Sequence, residues 1–117
     1  MAQSTRPVIY ICGPLSRDGK WLTNIHIAGM IAGELIKSGF APITPHLLAL
    51  GQLIDPVADD HDYDTWMSVD CAIVGKCDAL LRLPGESKGG DIELAYAKKH
   101  RVPVFYELDD LEEHFGF

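Results

Sequence analysis

Cysteine is scarce: the chain of 117 residues has three, Cys12, Cys71 and Cys77, with no C-x-x-C pair among them. An odd number at such spacing argues against a disulfide framework and against a structural zinc site. The three read instead as small buried hydrophobes. Long apolar runs are also missing. Charge or glycine interrupts every hydrophobic stretch well short of the roughly 20 residues that a membrane span needs. No apolar signal region precedes the first strand in "MAQSTRPVIYICG", so the expected location is cytoplasmic. Positive charge is the minority sign, with 10 Lys and Arg against 17 Asp and Glu and a net charge of −7. The basic residues form no stripe, which makes long duplex nucleic acid an unexpected partner. A small phosphorylated ligand stays open, because a loop and a helix end can hold one phosphate without a basic surface. Internal repeats, low-complexity tracts and interdomain linkers are absent as well.

What is present suits one compact domain over residues 1–117, with 47% hydrophobic and 23% charged residues. So short a chain builds a modest core. That favours a homodimer or higher oligomer, with apolar helix residues such as Trp21 and Met67 as interface candidates. "PVIYICG" (7–13) is a short β-rich run ending in glycine, as a buried strand would be. Ile27, Ala28, Ile31, Ala32 and Leu35 have helical spacing from about Trp21 to Ser38, and Gly39 stops that helix. "FAPIT" (40–44) reads as a second strand. Residues 45–60 are loop-like, and a loop that long in a small domain is usually functional or carries a short helix. A helix from about Asp64 to Lys76, a strand "DALLRLP" (78–84), a helix over 87–100, a strand "VPVFY" (102–106) and a short helix "DDLEEHF" (109–115) complete the order. Strands alternating with helices imply a small parallel sheet of four to five strands covered on both faces. The expected class is therefore α/β, a flavodoxin/Rossmann-like three-layer sandwich. Ligands of such sheets bind beyond the carboxyl ends of the strands, where the strand order reverses. The loops 13–20, 45–60 and 84–90 lie there.

Three stretches could carry chemistry. In "SKGGDIELAYA" (87–97), Ser-Lys-Gly-Gly reads as a tight anion-holding loop: Gly89 and Gly90 admit close backbone approach and Ser87 adds a hydroxyl. Ile92, Ala95 and Tyr96 repeat at helical spacing, and Glu93 falls among them in the first turn of that helix. An acid there can simply complement the helix dipole. It can also be a carboxylate held ionised and aimed at a ligand, a nucleophile of the kind retaining glycosidases use. In "DTWMSVD", Trp66 and Asp70 are four apart and share a helical face. Asp70 interrupts an apolar face there, or sits at its surface edge. Asp78 more simply makes local hydrogen bonds. In "YICGPLSRDGKWLTN", a strand ends at Gly13, and Arg17, Lys20 and Asn24 follow; the basic pair could serve a phosphate or be solvated. "TPHL" places His46 after the second strand, where a lone histidine is commonly structural. "DDHDYD" (59–64) lacks the spacing of a calcium loop and reads as capping carboxylates. No metal and no cofactor are expected.

Taken in order, these stretches resemble the nucleoside 2-deoxyribosyltransferase superfamily, including its 2′-deoxynucleoside 5′-monophosphate N-glycosidases and small phage-type relatives. Tyr10 to Gly13 is similar to that family's first strand and glycine turn, Asn24 to an asparagine of the phage-type branch, and "TPHL" to the segment after its second strand. Asp70 with Asp78 resembles its aspartate pair, and "SKGGDIELAYA" its S-x-G-x-x-x-E-L-G-x-A motif, with Ala95 in place of a common glycine. The resemblance implies Glu93 as nucleophile at C1′ of a (deoxy)ribosyl group, Tyr10 orienting it, and Asp70 binding the sugar or protonating the departing base. Gly13, Arg17, Asn24, His46, Trp66, Ser87, Gly89 and Gly90 would then hold substrate or its phosphate. Serine at position 87 looks like the monophosphate hydrolase branch, since the transferases carry an acid there. The implied activity is hydrolysis of the base–sugar bond of a nucleoside 5′-monophosphate. The alternatives are sugar transfer between bases and a non-catalytic module binding a nucleotide or ADP-ribose-like ligand.

Overall fold

The computed structural model describes residues 3–16, 19–47 and 63–117. Its elements run β1 (Val8–Cys12), α1 (Trp21–Ser38), β2 (Ala41–Ile43), α2 (Tyr63–Val74), β3 (Ala79–Arg82), α3 (Lys88–Lys99), β4 (Val104–Phe105) and α4 (Leu108–Phe115). The strands form one four-stranded sheet in the order β2-β1-β3-β4. Every pairing is parallel, with Tyr10 opposite Ile43 on one side and Leu80 on the other. The α/β class and the parallel sheet are those the alternation of elements implied. Most of the 45–60 loop, most of "DDHDYD" and Arg17 lie outside the described residues.

β1 and β3 are central, and both are buried nearly throughout because each has neighbours on two edges and helices on two faces. Their side chains sort by the two-residue period of a strand. Ile9, Ile11, Ala79 and Leu81 point to one side, where Ala28 and Leu35 of α1 and Leu111 of α4 complete a core. Tyr10, Cys12 and Leu80 point to the other, against Val74 of α2 and Ala97 of α3. The result is three layers.

Helix α1 ends as its sequence indicates. Gly39 is left-handed at φ 107°, and the N–H groups of Gly39 and Phe40 bond back to the carbonyls of Ile36 and Leu35. Asp78 is not a local hydrogen-bonder. Its carboxylate accepts from the Val8 N–H at 2.7 Å and ties the starts of β1 and β3 together. Among the described residues, no helix is long and apolar enough to cross a membrane.

The chain passes from β1 to β2 on one side, then returns through α2 to β3 on the other. The order therefore reverses between β1 and β3, and the segments leaving these strands diverge there. The two exits run very close: a Cβ on Gly13 would lie 2.9 Å from the Leu83 Cβ, so only glycine fits.

Candidate active site

Beyond this reversal lies a cavity of about 530 Å³. Its wall is built from four segments: the β1 exit (Gly13 to Ser16) with Trp21, Pro45 after β2, α2 (Tyr63, Trp66, Met67, Asp70), and the start of α3 (Glu86 to Gly90, with Glu93). Of the expected ligand-holding residues, Gly13, Trp66, Ser87, Gly89 and Gly90 line it, as do Asp70 and Glu93. Trp21 and Met67, interface candidates in the sequence, line it too.

Glu93 is only 3% exposed. Tyr10, projecting from the middle of β1 and itself buried, donates its hydroxyl to Glu93 Oε2 at 2.8 Å. Asp70, reaching over from α2, lies close enough to the same carboxyl group for each to shift the other's titration. Two carboxylates so near each other repel, which favours a proton on one of them. Burial pushes the Glu93 carboxyl up; the Tyr10 hydrogen bond opposes the rise, and the neighbouring Asp70 charge and hydrogen bond add to it, with a net value of about 8. Burial raises Asp70 as well, and its hydrogen bond with Glu93 opposes that rise. Both groups are raised by burial, so near neutral pH the two favour holding one proton between them, and that proton belongs to the pair. Asp70 Oδ1 is buried without a hydrogen-bond partner, a costly state for an acceptor beside a cavity. Burial, then Glu93, drives the Tyr10 hydroxyl far above its ordinary value, so it stays a donor.

This overturns one expectation. Glu93 is not in the first turn of α3. It is the sixth residue of that helix, and Asp91 is the acid of the first turn. The macrodipole fades within a turn, so it does not hold Glu93 ionised; burial and Asp70 do the reverse. The spacing of Ile92 and Ala95 misled as well. Both are exposed, and the inward face of α3 is Gly90, Glu93 and Ala97.

The Ser-Lys-Gly-Gly stretch is not a loop either. Ser87 is the N-cap, its Oγ accepting from the Gly90 N–H at 2.9 Å and reaching the Gly13 carbonyl at 3.3 Å, and Lys88 to Gly90 form the first turn. Gly90 is small because of its own protein. A Cβ there would come within 3.2 Å of the Arg82 guanidinium carbon and 3.0 Å of Ser87 Oγ. At Gly89 the same atom would meet Met67 Sδ and the Tyr63 hydroxyl at ordinary contact distances, both 3.6 Å.

Two residues expected to hold substrate brace the site from behind. The Asn24 amide donates to the Leu15 carbonyl at 2.8 Å. His46 is 1% exposed, and both its ring nitrogens are engaged, Nε2 with the Pro14 carbonyl at 2.8 Å and Nδ1 with the Thr44 hydroxyl at 2.6 Å. A carbonyl only accepts, so Nε2 carries the proton and Nδ1 accepts from Thr44. Burial lowers its pKa and keeps it neutral. Together they fix the β1 exit that forms one wall.

Arg82 went unnoticed in the sequence. It ends β3, is 8% exposed, and its guanidinium bonds to the carbonyls of Leu83 and Gly85 and, at 3.1 Å, to Asp91. It thereby joins the β3 exit to the first turn of α3. The available signal was one arginine inside "DALLRLP": a charge at the end of a central strand has to be paired. Tyr63, whose ring lies 5.3 Å from Lys88 Nζ, was missed too, being hidden among acids in "DDHDYD". No group of three or more His, Cys, Asp or Glu side chains that could hold a metal ion occurs among the described residues.

The chain belongs to the DUF7768 family, described as a domain of unknown function, whose family model matches residues 7–107. The match runs from β1 through β4 and so includes Tyr10, Asp70, Ser87 and Glu93. No curated protein matches the chain.

Proposed function

We propose that this protein is an N-glycosidase that cleaves the base–sugar bond of a (deoxy)nucleoside 5′-monophosphate through a covalent glycosyl ester on Glu93. The observation that carries the reading is the Tyr10–Glu93–Asp70 arrangement at the cavity wall: a buried carboxyl group oriented by a hydroxyl at 2.8 Å, with a second carboxyl group beside it that raises its pKa. The cavity, about 530 Å³, falls in the range of small-molecule sites.

The shared proton gives a balanced path. As the C1′–N bond breaks, its electron pair goes to the base nitrogen, which takes the proton from Asp70. The Glu93 carboxylate forms the C1′–O bond on the opposite face, leaving an ester, an Asp70 carboxylate and a neutral base. Water then attacks C1′, gives its proton to Asp70 and releases Glu93, which restores the singly protonated pair. For the phosphate, Ser87 has already capped the Gly90 N–H, so the N–H groups of Lys88 and Gly89 are those left for an anion at the start of α3.

One observation favours a second reading. A Glu93 that holds its proton at neutral pH is a poor nucleophile, which suits a module that binds a nucleotide or ADP-ribose-like ligand without turnover. Chromatography of nucleotides and nucleosides incubated with the purified chain separates the readings. Released base supports the glycosidase; ligand binding with no base released supports the module. Sugar moved to an added free base identifies a transferase.

A further inference from the structure

Lys88 stands where a lysine is disfavoured. It is the first residue of α3, directly after the Ser87 N-cap. The free N–H groups give that end of a helix a positive partial charge, which attracts acids and repels cations. The rest of α3 follows the rule, with Asp91 in its first turn and Lys98 and Lys99 in its last. Packing does not account for the exception. Lys88 is exposed, and its ammonium rests over the ring of Tyr63, 5.3 Å from the centroid. A cation on an exposed ring is held only weakly.

The surroundings supply a reason. Among the described residues lining the cavity, Lys88 is the one cation, against the acids Asp70, Glu86 and Glu93. Its neighbour Gly89 sits one helical turn before Glu93, about 6 Å along the axis and on the same face. Tyr63 approaches from α2: a Cβ on Gly89 would lie 3.6 Å from its hydroxyl. One end of the cavity thus gathers an ammonium, a phenol hydroxyl and the N–H groups of Lys88 and Gly89, all of them donors. The carboxyl group of Glu93 belongs to the next turn. We infer that Lys88 is the specificity-determining residue of this site: its ammonium leaves Tyr63 for an anionic group bound at the start of α3, and so selects a ligand whose phosphate lies one sugar away from the atom facing Glu93. An anion placed between the helix end and Lys88 replaces an unfavourable pairing of like charges by two favourable contacts. That the anion is a 5′-phosphate rests on the glycosidase reading; that an anion engages Lys88 does not.

Lys88→Gln separates recognition from structure, because the two effects have opposite signs. Removing a cation from the helix start should leave the melting temperature of the free protein unchanged or higher. The same change should lower kcat/KM for nucleoside 5′-monophosphates about ten-fold or more beyond any change for the matching nucleosides. Lys88→Arg should recover most of the loss. Calorimetry repeats the comparison without turnover: inorganic phosphate, a monophosphate and its nucleoside are titrated into Glu93→Gln with and without Lys88→Gln. If the wild type releases base and Lys88→Gln lowers both substrates alike, Lys88 does not read the anion and the glycosidase reading survives. If no base is released yet the monophosphate binds more weakly once Lys88 is glutamine, the assignment holds and the glycosidase reading falls. Equal monophosphate affinities with and without Lys88→Gln, or a monophosphate bound no tighter than its nucleoside, would overturn the assignment.

Discussion

Tyr10 and Glu93 stand 83 residues apart in the chain and meet at 2.8 Å, a strand hydroxyl donating to a helix carboxyl group. The contact depends on β1 being central and on α3 laying Gly90, Glu93 and Ala97 against it. In Tyr10→Phe the ring still fills its place but the donor is gone. A hydrogen bond to a charged group is worth roughly 1.5–3 kcal/mol. Turnover should fall by about that equivalent, roughly 10- to 150-fold, while nucleotide binding by the variant, measured calorimetrically, stays within a few-fold. Undiminished turnover would remove Tyr10 from the site.

Replacing Glu93 by its amide separates chemistry from structure. The amide nitrogen can donate to Asp70 and its oxygen can accept from Tyr10, so Glu93→Gln imitates the protonated carboxyl group and should fold. It cannot form the ester, and base release should drop to background. Stability responds to pH with a definite sign. Folding raises the Glu93 pKa from 4.5 to about 8, so the folded state binds the proton more tightly and the contribution is full below 4.5 and lost as pH rises through 8. Within that window the wild type should lose roughly 1.4 kcal/mol per pH unit relative to Glu93→Gln. Denaturant titrations of both proteins at several pH values measure the difference, and parallel curves would place Glu93 in an ordinary solvated state.

The rate should follow the singly protonated pair. Activity is expected to be bell-shaped in kcat/KM. The acid limb reports the second proton arriving on the pair, with Asp70 raised above its ordinary value, and the alkaline limb falls near 8 as the shared proton leaves. A nucleophile acting alone would give the opposite alkaline behaviour, since its ionised fraction grows through 8. Activity that climbs above that pH would exclude Asp70 as proton donor and leave Glu93 in place.

Much of the architecture was legible because periodicity and glycine punctuation are local. α1, its Gly39 stop and the alternation that dictates a parallel sheet are all readable from neighbours in the sequence. The site was legible only in part. Asp70 and Glu93 show as acids at apolar-face positions, but that they meet at one cavity depends on how α2 packs against α3, which no local pattern reports. Ile92 and Ala95 misled because helix faces are assigned by average hydrophobicity, and here glycine and an acid take the inner face. His46 and Asn24 carry the right groups for a ligand, and their use by the backbone of Pro14 and Leu15 is a tertiary fact.

The adjacent glycines of α3 should answer alanine differently. Gly89→Ala adds a methyl group at 3.6 Å from its neighbours and removes a flexible residue from a helix, which should stabilise by about 0.5–1 kcal/mol. It also narrows the cavity, so nucleotide affinity should fall. Gly90→Ala gains the same propensity but presses on Arg82, which is pinned by Leu83, Gly85 and Asp91 and cannot yield. It should be the less stable of the two in thermal unfolding, and the reverse order would contradict the described packing of Arg82.

Ser87 tests the phosphate reading, and alanine is the wrong probe for it. The Ser87 hydroxyl caps α3 through the Gly90 N–H at 2.9 Å, so Ser87→Ala removes the cap, costs about 1 kcal/mol and weakens every ligand through a frayed helix start. Aspartate caps as well as serine, and its charge also suits the helix dipole. Ser87→Asp should therefore keep the melting temperature within a few degrees while setting a carboxylate where a 5′-phosphate would lie. Two like charges in one site repel, so kcat/KM for nucleoside monophosphates should fall by about 100-fold or more, a penalty near 3 kcal/mol. Nucleosides, which bring no charge, should change little, and the preference between the two substrates should narrow or invert. If Ser87→Asp lowers both alike, or neither, the phosphate does not bind at the start of α3, and the substrate is better sought among uncharged nucleosides.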